Sequence, residues 1–61
     1  MKMKDLRRNI SYNLACSILD ANHYGVRNVK RTLIGATFFD DCGRMVARYF
    51  DQSGRLQVIC D

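Results

Sequence analysis

Few side chains in this sequence could do chemistry, and they are widely spaced. The thiols are Cys16, Cys42 and Cys60, and the single imidazole is His23. No two of them stand at the C-x-x-C or Cys/His spacings with which proteins bind zinc. A cysteine nucleophile would also need a base beside it in a shielded cleft, which a chain of 61 residues can hardly enclose. We therefore expect no catalytic residue, no metal site and no cofactor.

The carboxylates that could pair fall at predicted turns. Asp40 and Asp41 are adjacent, and Asp51 takes the equivalent place in a second copy of the same motif. An aspartate before a glycine-bearing turn accepts hydrogen bonds from the backbone amides of that turn. His23, close to Gly25, has the neighbours of a helix C-terminus. We expect both kinds of residue to build structure rather than to react.

An internal repeat predicts the elements that carry these turns. The segment from Ala36 to Met45 is echoed from Ala47 to Leu56. Each copy reads as a strand ending in Phe-Asp, a turn whose last residue is glycine, and a new strand. Together with the β-branched and aromatic residues before it, the repeat predicts three antiparallel strands at about 29–40, 44–51 and 55–60.

The N-terminal third predicts a helix. It lacks glycine and proline from residue 3 to 22, and Leu6, Ile10, Leu14 and Ile18 recur at the spacing of one helix face. We expect a helix over about 3–23. The predicted fold class is α+β, with one N-terminal amphipathic helix packed on a three-stranded antiparallel β-meander (α-β-β-β). Residues 1–61 are expected to form one small domain.

The turns assign each strand side chain to a face. If both glycines are left-handed, Asp40 lies opposite Arg44 and Asp51 lies opposite Arg55. The face expected to take the helix then carries Ile34, Ala36, Phe38, Val46, Arg48, Phe50, Leu56, Val58 and Cys60. Arg48 is out of place in this apolar set. It could extend past the helix or pair with an aspartate, it could contact a partner, or the register could be wrong by one residue.

The opposite face is more apolar than a solvated sheet face usually is. One helix cannot cover both faces, so we expect a contact surface there, although scattered exposed apolar residues without a function are the alternative. The expected partner-binding residues are Leu33, Phe39, Met45, Tyr49 and Ile59, with Arg31 and Arg48 as charged contacts. The expected partner is a larger protein or a second copy of the chain, as a homo-oligomer.

The formal charge is +4, from ten basic and six acidic residues. Basic residues cluster near the N-terminus and at the start of the first predicted strand, and such clusters either keep a protein soluble or contact phosphates. The alternative function is therefore a small nucleic-acid-binding regulator that uses Lys4, Arg7, Arg8, Lys30 and Arg31. No helix-turn-helix, zinc-finger or RNA-recognition motif accompanies these residues.

The string from Tyr49 to Leu56, Y-F-D-Q-S-G-R-L, resembles the tyrosine-aspartate repeat of the Rhs family. The resemblance covers the repeat segment alone, with Phe50 where that family usually has tyrosine. It implies shared turn chemistry and carries no function to this chain.

Size and composition favour a small binding protein. A domain of this length buries only about 60% of the surface of its unfolded chain, so a partner is a ready source of stability. The odd cysteine count and the lack of a signal peptide or membrane span indicate a cytoplasmic protein that does not bind a membrane. We also expect no small-molecule substrate. We expect a non-enzymatic inhibitor or accessory protein, of the kind that phages and mobile elements encode, that acts by steric occlusion of a larger partner.

Overall fold

The computed structural model describes residues 2–60, which form five strands and one helix. The strands are β1 (Lys2–Arg7), β2 (Asn28–Arg31), β3 (Gly35–Phe39), β4 (Met45–Phe50) and β5 (Arg55–Cys60), and the helix is α1 (Tyr12–Ala21). All strand pairs are antiparallel, in the order β1-β5-β4-β3-β2. The predicted three-stranded meander behind a long helix is therefore wrong, because one further strand lies at each edge of the sheet. Residues 2–60 contain no helix that is both long and apolar enough to cross a membrane.

The first turns of the predicted helix belong to β1 instead. This strand pairs with β5, and Lys4 lies opposite Val58. Asn9 then adopts a left-handed backbone (φ 57°), and the Oγ of Ser11 caps α1 by accepting a hydrogen bond from the Leu14 amide (3.1 Å). Asparagine tolerates the left-handed region and serine is a preferred N-cap. These two residues separate a strand from a helix, although one apolar spacing runs through both.

The C-terminus of α1 is closed by a Schellman motif. The backbone N–H of His23 donates to the carbonyl of Asp20 (3.1 Å), and that of Tyr24 donates to the carbonyl of Leu19 (3.2 Å). His23 adopts φ 58°, the left-handed position that glycine usually fills in this motif. His23 therefore has a structural role at the end of α1.

The first predicted strand is divided by a hairpin. Thr32 and Gly35 exchange two backbone hydrogen bonds of 2.8 and 3.3 Å, which leaves Leu33 and Ile34 as a two-residue turn between β2 and β3. Two-residue hairpin turns are normally recognised by Asn-Gly or a similar pair. Because this turn consists of two aliphatic residues, the segment has the sequence pattern of one continuous strand.

A bulge in β4 changes the predicted register with β3. Phe39 lies opposite Met45, but Phe38 lies opposite Ala47, so Val46 is an extra residue in β4. A bulge of this kind moves every later pair by one position. The side chains of β4 beyond Val46 consequently exchange faces relative to the prediction.

The turn between β4 and β5 shifts by one residue as well. The N–H of Asp51 donates to the carbonyl of Ile34 (2.9 Å), which extends the pairing of β4 with β3. Phe50 rather than Asp51 then lies opposite Arg55. The pairing of β4 with β3 and its pairing with β5 therefore both show the same change of face.

The core lies between α1 and the three central strands. Its buried side chains are Ala15, Leu19, Ala36, Phe38, Ala47, Tyr49, Leu56 and Val58. Tyr49 was expected on the opposite face, but it is buried here, and its hydroxyl donates to the carbonyl of Ile10 (2.6 Å). Arg48 and Phe50 point the other way because successive strand residues alternate. Of the explanations for Arg48, the register error of one residue is the correct one.

Candidate functional site

The sheet face that does not contact α1, called the open face below, is uncovered in residues 2–60. Its side chains follow from the strand pairing and from alternation along each strand. They are Met3, Asp5, Asn28, Lys30, Gly35, Thr37, Phe39, Met45, Arg48, Phe50, Arg55, Gln57 and Ile59. Polar residues occupy the middle of this face, and apolar residues lie toward its two ends.

A polar network occupies the middle of the open face. Arg48 Nε donates to Gln57 Oε1 (3.0 Å), and Gln57 Nε2 donates to Asp5 Oδ1 (2.9 Å). Arg8 donates twice to Asp5 Oδ2 (2.8 and 3.2 Å), and Arg55 Nε lies 3.7 Å from the same oxygen. The hydrogen bonds from Gln57 and Arg8 hold the pKa of the Asp5 carboxyl below its usual value. Arg48, predicted as a charged contact, is thus hydrogen-bonded to another side chain of the open face.

Three of the predicted anchors do lie on the open face. Phe39 pairs with Met45, Ile59 pairs with Met3, and all four side chains are half-buried. Tyr49, in contrast, belongs to the core and is not available to a partner. The predicted contact surface is therefore reduced to a small apolar area at the end of the sheet that holds the β3–β4 turn.

Large apolar side chains are far more exposed at the other end of the sheet. Leu33 is fully exposed and Ile34 is 65% exposed at the β2–β3 turn. With Phe50 they line a shallow hollow of about 600 Å³, and its polar rim consists of Asp51, Gln52, Ser53 and Arg55. We call this surface the tip hollow. Leu33 was predicted as an anchor, whereas Ile34 and Phe50 were placed against the helix and were missed. The string Thr-Leu-Ile-Gly, with turn-compatible residues at both ends, is the signal that could have revealed Ile34 as a turn residue.

The predicted phosphate-binding residues do not form one patch. Lys4 and Arg7 lie on β1 and Arg8 follows it, while Lys30 and Arg31 lie on β2, at the opposite edge. Neighbouring strands are about 4.8 Å apart, so the two edges of a five-stranded sheet are separated by about 19 Å. The basic residues therefore form two separate groups.

Ion pairs also occupy part of each basic group. Arg8 is bonded to Asp5 at one edge. At the other edge, Arg31 Nη2 lies 3.4 Å from Asp51 Oδ2, and the Arg31 guanidinium lies 4.1 Å from the centroid of the Tyr12 ring. These two arginines have partners within the chain and are less available to phosphates.

A second hollow lies between the C-terminal end of α1 and β2. It has a volume of about 440 Å³, and Cys16, Leu19, His23, Val26, Val29 and Phe38 line it together with the charged Asp20 and Arg27. We call it the β2 groove. Val29 is 43% exposed in this region. The groove therefore places apolar side chains beside the edge strand of the sheet.

The carboxylates of the β3–β4 turn serve the turn itself. Asp40 Oδ1 accepts hydrogen bonds from the backbone N–H groups of Cys42 and Arg44, both at 2.9 Å. These bonds, with that from Arg44 the largest cause, lower the pKa of the Asp40 carboxyl. The side chains of Asp40, Asp41 and Cys42 lie within 4.8 Å of one another, but two backbone amides already engage the Asp40 carboxylate.

Comparison of the chain with protein-family models, with curated proteins and with solved structures found no match.

Proposed function

We propose that this chain is a non-enzymatic protein-binding module that covers a surface of a larger protein with its tip hollow. One observation carries the proposal: Leu33 and Ile34 are largely exposed at a turn, where they add little to the core. Turns are normally built from polar residues and glycine. Burial of an exposed leucine or isoleucine in a partner is worth about 1.5–3 kcal/mol. The exposed pair is therefore better suited to binding than to folding.

Hydrogen bonds order the β2–β3 turn of the tip hollow in the free chain. Thr32 and Gly35 close the turn with two backbone hydrogen bonds, and Thr32 Oγ1 accepts a third from the Gly35 N–H (3.0 Å). The carbonyl of Ile34 is bonded to the N–H of Asp51 on the neighbouring turn. A surface that is already ordered loses less conformational entropy on association. This preorganisation supports a binding role for Leu33 and Ile34.

The composition of the tip hollow supports the same role. Leu33, Ile34 and Phe50 form an apolar centre, and Gln52, Ser53 and the other rim residues surround it with polar groups. Specific protein interfaces combine an apolar core with a solvated polar rim in this way. The hollow is shallow, which fits a convex surface of another protein better than a small molecule.

We infer a larger protein rather than a second copy as the partner. A homodimer built on the open face would have to bury the network of Arg48, Gln57 and Asp5 between its two apolar ends. Obligate dimer interfaces are more apolar than that, and buried charges are costly unless they are fully paired. The nucleic-acid alternative has less support, because its basic residues lie at opposite edges of the sheet.

A pull-down with matched variants tests this function. We expect Leu33→Ser and Ile34→Ser to weaken capture of a stoichiometric protein partner by about tenfold or more, from the apolar burial that is lost. Leu14→Ser is the control, because Leu14 is similarly apolar and exposed but lies on α1. Circular dichroism should show that all three variants remain folded. Equal capture by the wild type and all three variants would contradict the proposal.

A further inference from the structure

We propose that the free edge of β2 binds an extended acidic segment of a protein, which adds a sixth strand to the sheet and places one apolar side chain in the β2 groove. This inference rests on the proposed function only in that the ligand is a polypeptide. It uses no residue of the tip hollow. The two surfaces can therefore be tested separately with variants at different positions.

The backbone of β2 has unpaired hydrogen-bonding groups on its outer side. Thr32 and Gly35 exchange both backbone hydrogen bonds, and antiparallel pairs alternate between bonded and non-bonded positions. Lys30 therefore bonds to Thr37 of β3, while the N–H and C=O groups of Val29 and Arg31 point outward. Such groups on an edge strand are a template for another strand. Nothing in residues 2–60 pairs with this edge.

The other edge of the sheet is less suitable. The pairing of β1 with β5 is interrupted by an irregularity between Asp5 and Arg7. Bulges bend and twist an edge and so discourage the addition of a further strand. The four pairs of β2 with β3 are regular. Of the two edges, β2 is the one that can accept a regular strand.

The β2 groove supplies the apolar part of the site. Val29 lies opposite Phe38 on the face that packs against α1, and both residues line the groove. Side chains of an added strand would alternate between the two faces of the sheet, so every second one would point toward the groove. A volume of about 440 Å³ is within the range of ordinary ligand pockets. The groove can therefore receive an apolar side chain of the added strand.

The positive charge along β2 favours an acidic incoming strand over a second copy of β2. Arg27, Lys30 and Arg31 lie on or next to β2, and in residues 2–60 neither Arg27 nor Lys30 has a carboxylate within ion-pair distance. A second copy of β2 would bring these cations against their equals, which is destabilising in cross-strand pairs. Glutamate or aspartate on the incoming strand would instead pair with them. The occupant is therefore an acidic segment and not a second copy of the chain.

Titration of the full-length chain with short peptides tests this proposal. The probes are capped peptides of about eight residues in which glutamate and threonine alternate. The peptides of the series differ at one central position, where each carries a different apolar amino acid in place of threonine. We expect at least one to bind and to protect the amides of Val29 and Arg31 from hydrogen exchange. N-methylation of alternate amides should abolish binding when it falls on the peptide edge that faces β2, and should leave binding intact on the other edge.

Charge variants supply the matched control. Lys30→Glu should weaken peptide binding about tenfold or more, whereas Lys4→Glu, the same change on β1, should have little effect. Leu33→Ser should leave the affinity unchanged, which separates this site from the tip hollow. The proposal is overturned if no peptide binds at about 1 mM, the weak end of specific affinities. It is also overturned if N-methylation has the same effect on both edges of the peptide, or if the free chain dimerises through β2.

Discussion

Asp40 shows how a residue suited to chemistry is used by the fold. Its carboxylate accepts two backbone hydrogen bonds within its own turn, and its pKa is lowered by them. Asp5 is engaged in the same manner by Gln57 and Arg8. In both cases the charged form is favoured by contacts that exist only in the folded chain, so these carboxylates contribute to the stability of the fold.

The lowered pKa values predict loss of stability in acid. A carboxyl with a folded-state pKa below its ordinary value of 3.8 takes up a proton more readily in the unfolded chain. Its stabilisation is present above that ordinary value and is lost as the pH falls through the folded-state pKa. The melting temperature should therefore fall as the pH decreases below about 4, and Asp40→Asn should reduce this fall. Thermal unfolding followed by circular dichroism checks the prediction, and an unchanged slope in the variant would contradict it.

Residue patterns predicted only in part which side chains lie on the open face or are exposed. Leu33 is exposed, but at a turn and not within the strand in which it was predicted, and Asp40 caps its own turn as expected. Tyr49 was misplaced because its face depends on the bulge at Val46, and nothing in the sequence marks that bulge. Phe50 was missed for the same reason. A side chain's face in a strand is decided by a single inserted residue, which a repeat of turn motifs does not reveal.

At the scale of elements, the repeat located β3, β4 and β5 but could not locate the edge strands. β1 was hidden because its Leu6 continues the apolar spacing of α1, so the cap at Ser11 was overlooked. β2 was hidden because the turn at Leu33 and Ile34 lacks turn residues. Local signals of caps and turns are weaker than hydrophobic periodicity, and they fail where the periodicity extends across two elements.

Gly35 offers a test of the pairing between β3 and β4. A Cβ at this position would lie 1.8 Å from the carbonyl oxygen of Tyr49, within the strand pair. Gly35→Ala should force the strands apart and destabilise the chain by about 3 kcal/mol, at the upper end of overpacking effects. Gly43→Ala is the control, because a Cβ there meets nothing within 4 Å. It should cost about 1–2 kcal/mol, from its left-handed backbone alone.

Denaturant unfolding of the two glycine variants measures this difference. We expect a clearly lower midpoint for Gly35→Ala than for Gly43→Ala. If the two variants unfold at the same midpoint, the close approach of β3 to Tyr49 is contradicted.

In the whole molecule, one helix on a five-stranded sheet leaves two distinct surfaces that are built from different residues and adjoin where Arg31 pairs with Asp51. The tip hollow lies at the end of the sheet that holds the β2–β3 turn, and the free edge of β2 lies along its side. The two groups of basic residues near β1 and β2 lie at opposite edges of the sheet instead of forming one basic face. This arrangement favours contacts with proteins over a phosphate backbone, which would require a continuous basic surface.

Site-specific photo-crosslinking shows whether Leu33 of the tip hollow contacts a partner protein. A photoreactive amino acid placed at position 33 should crosslink to one protein in cells that contain the partner. The crosslinked product should then appear as a single species of defined mass. The same group at position 14, which is also exposed but lies on α1, should give no such product. A single crosslinked protein from position 33 alone is the result that we predict. No product from position 33, or the same products from both positions, would contradict the assignment of the tip hollow as the binding surface.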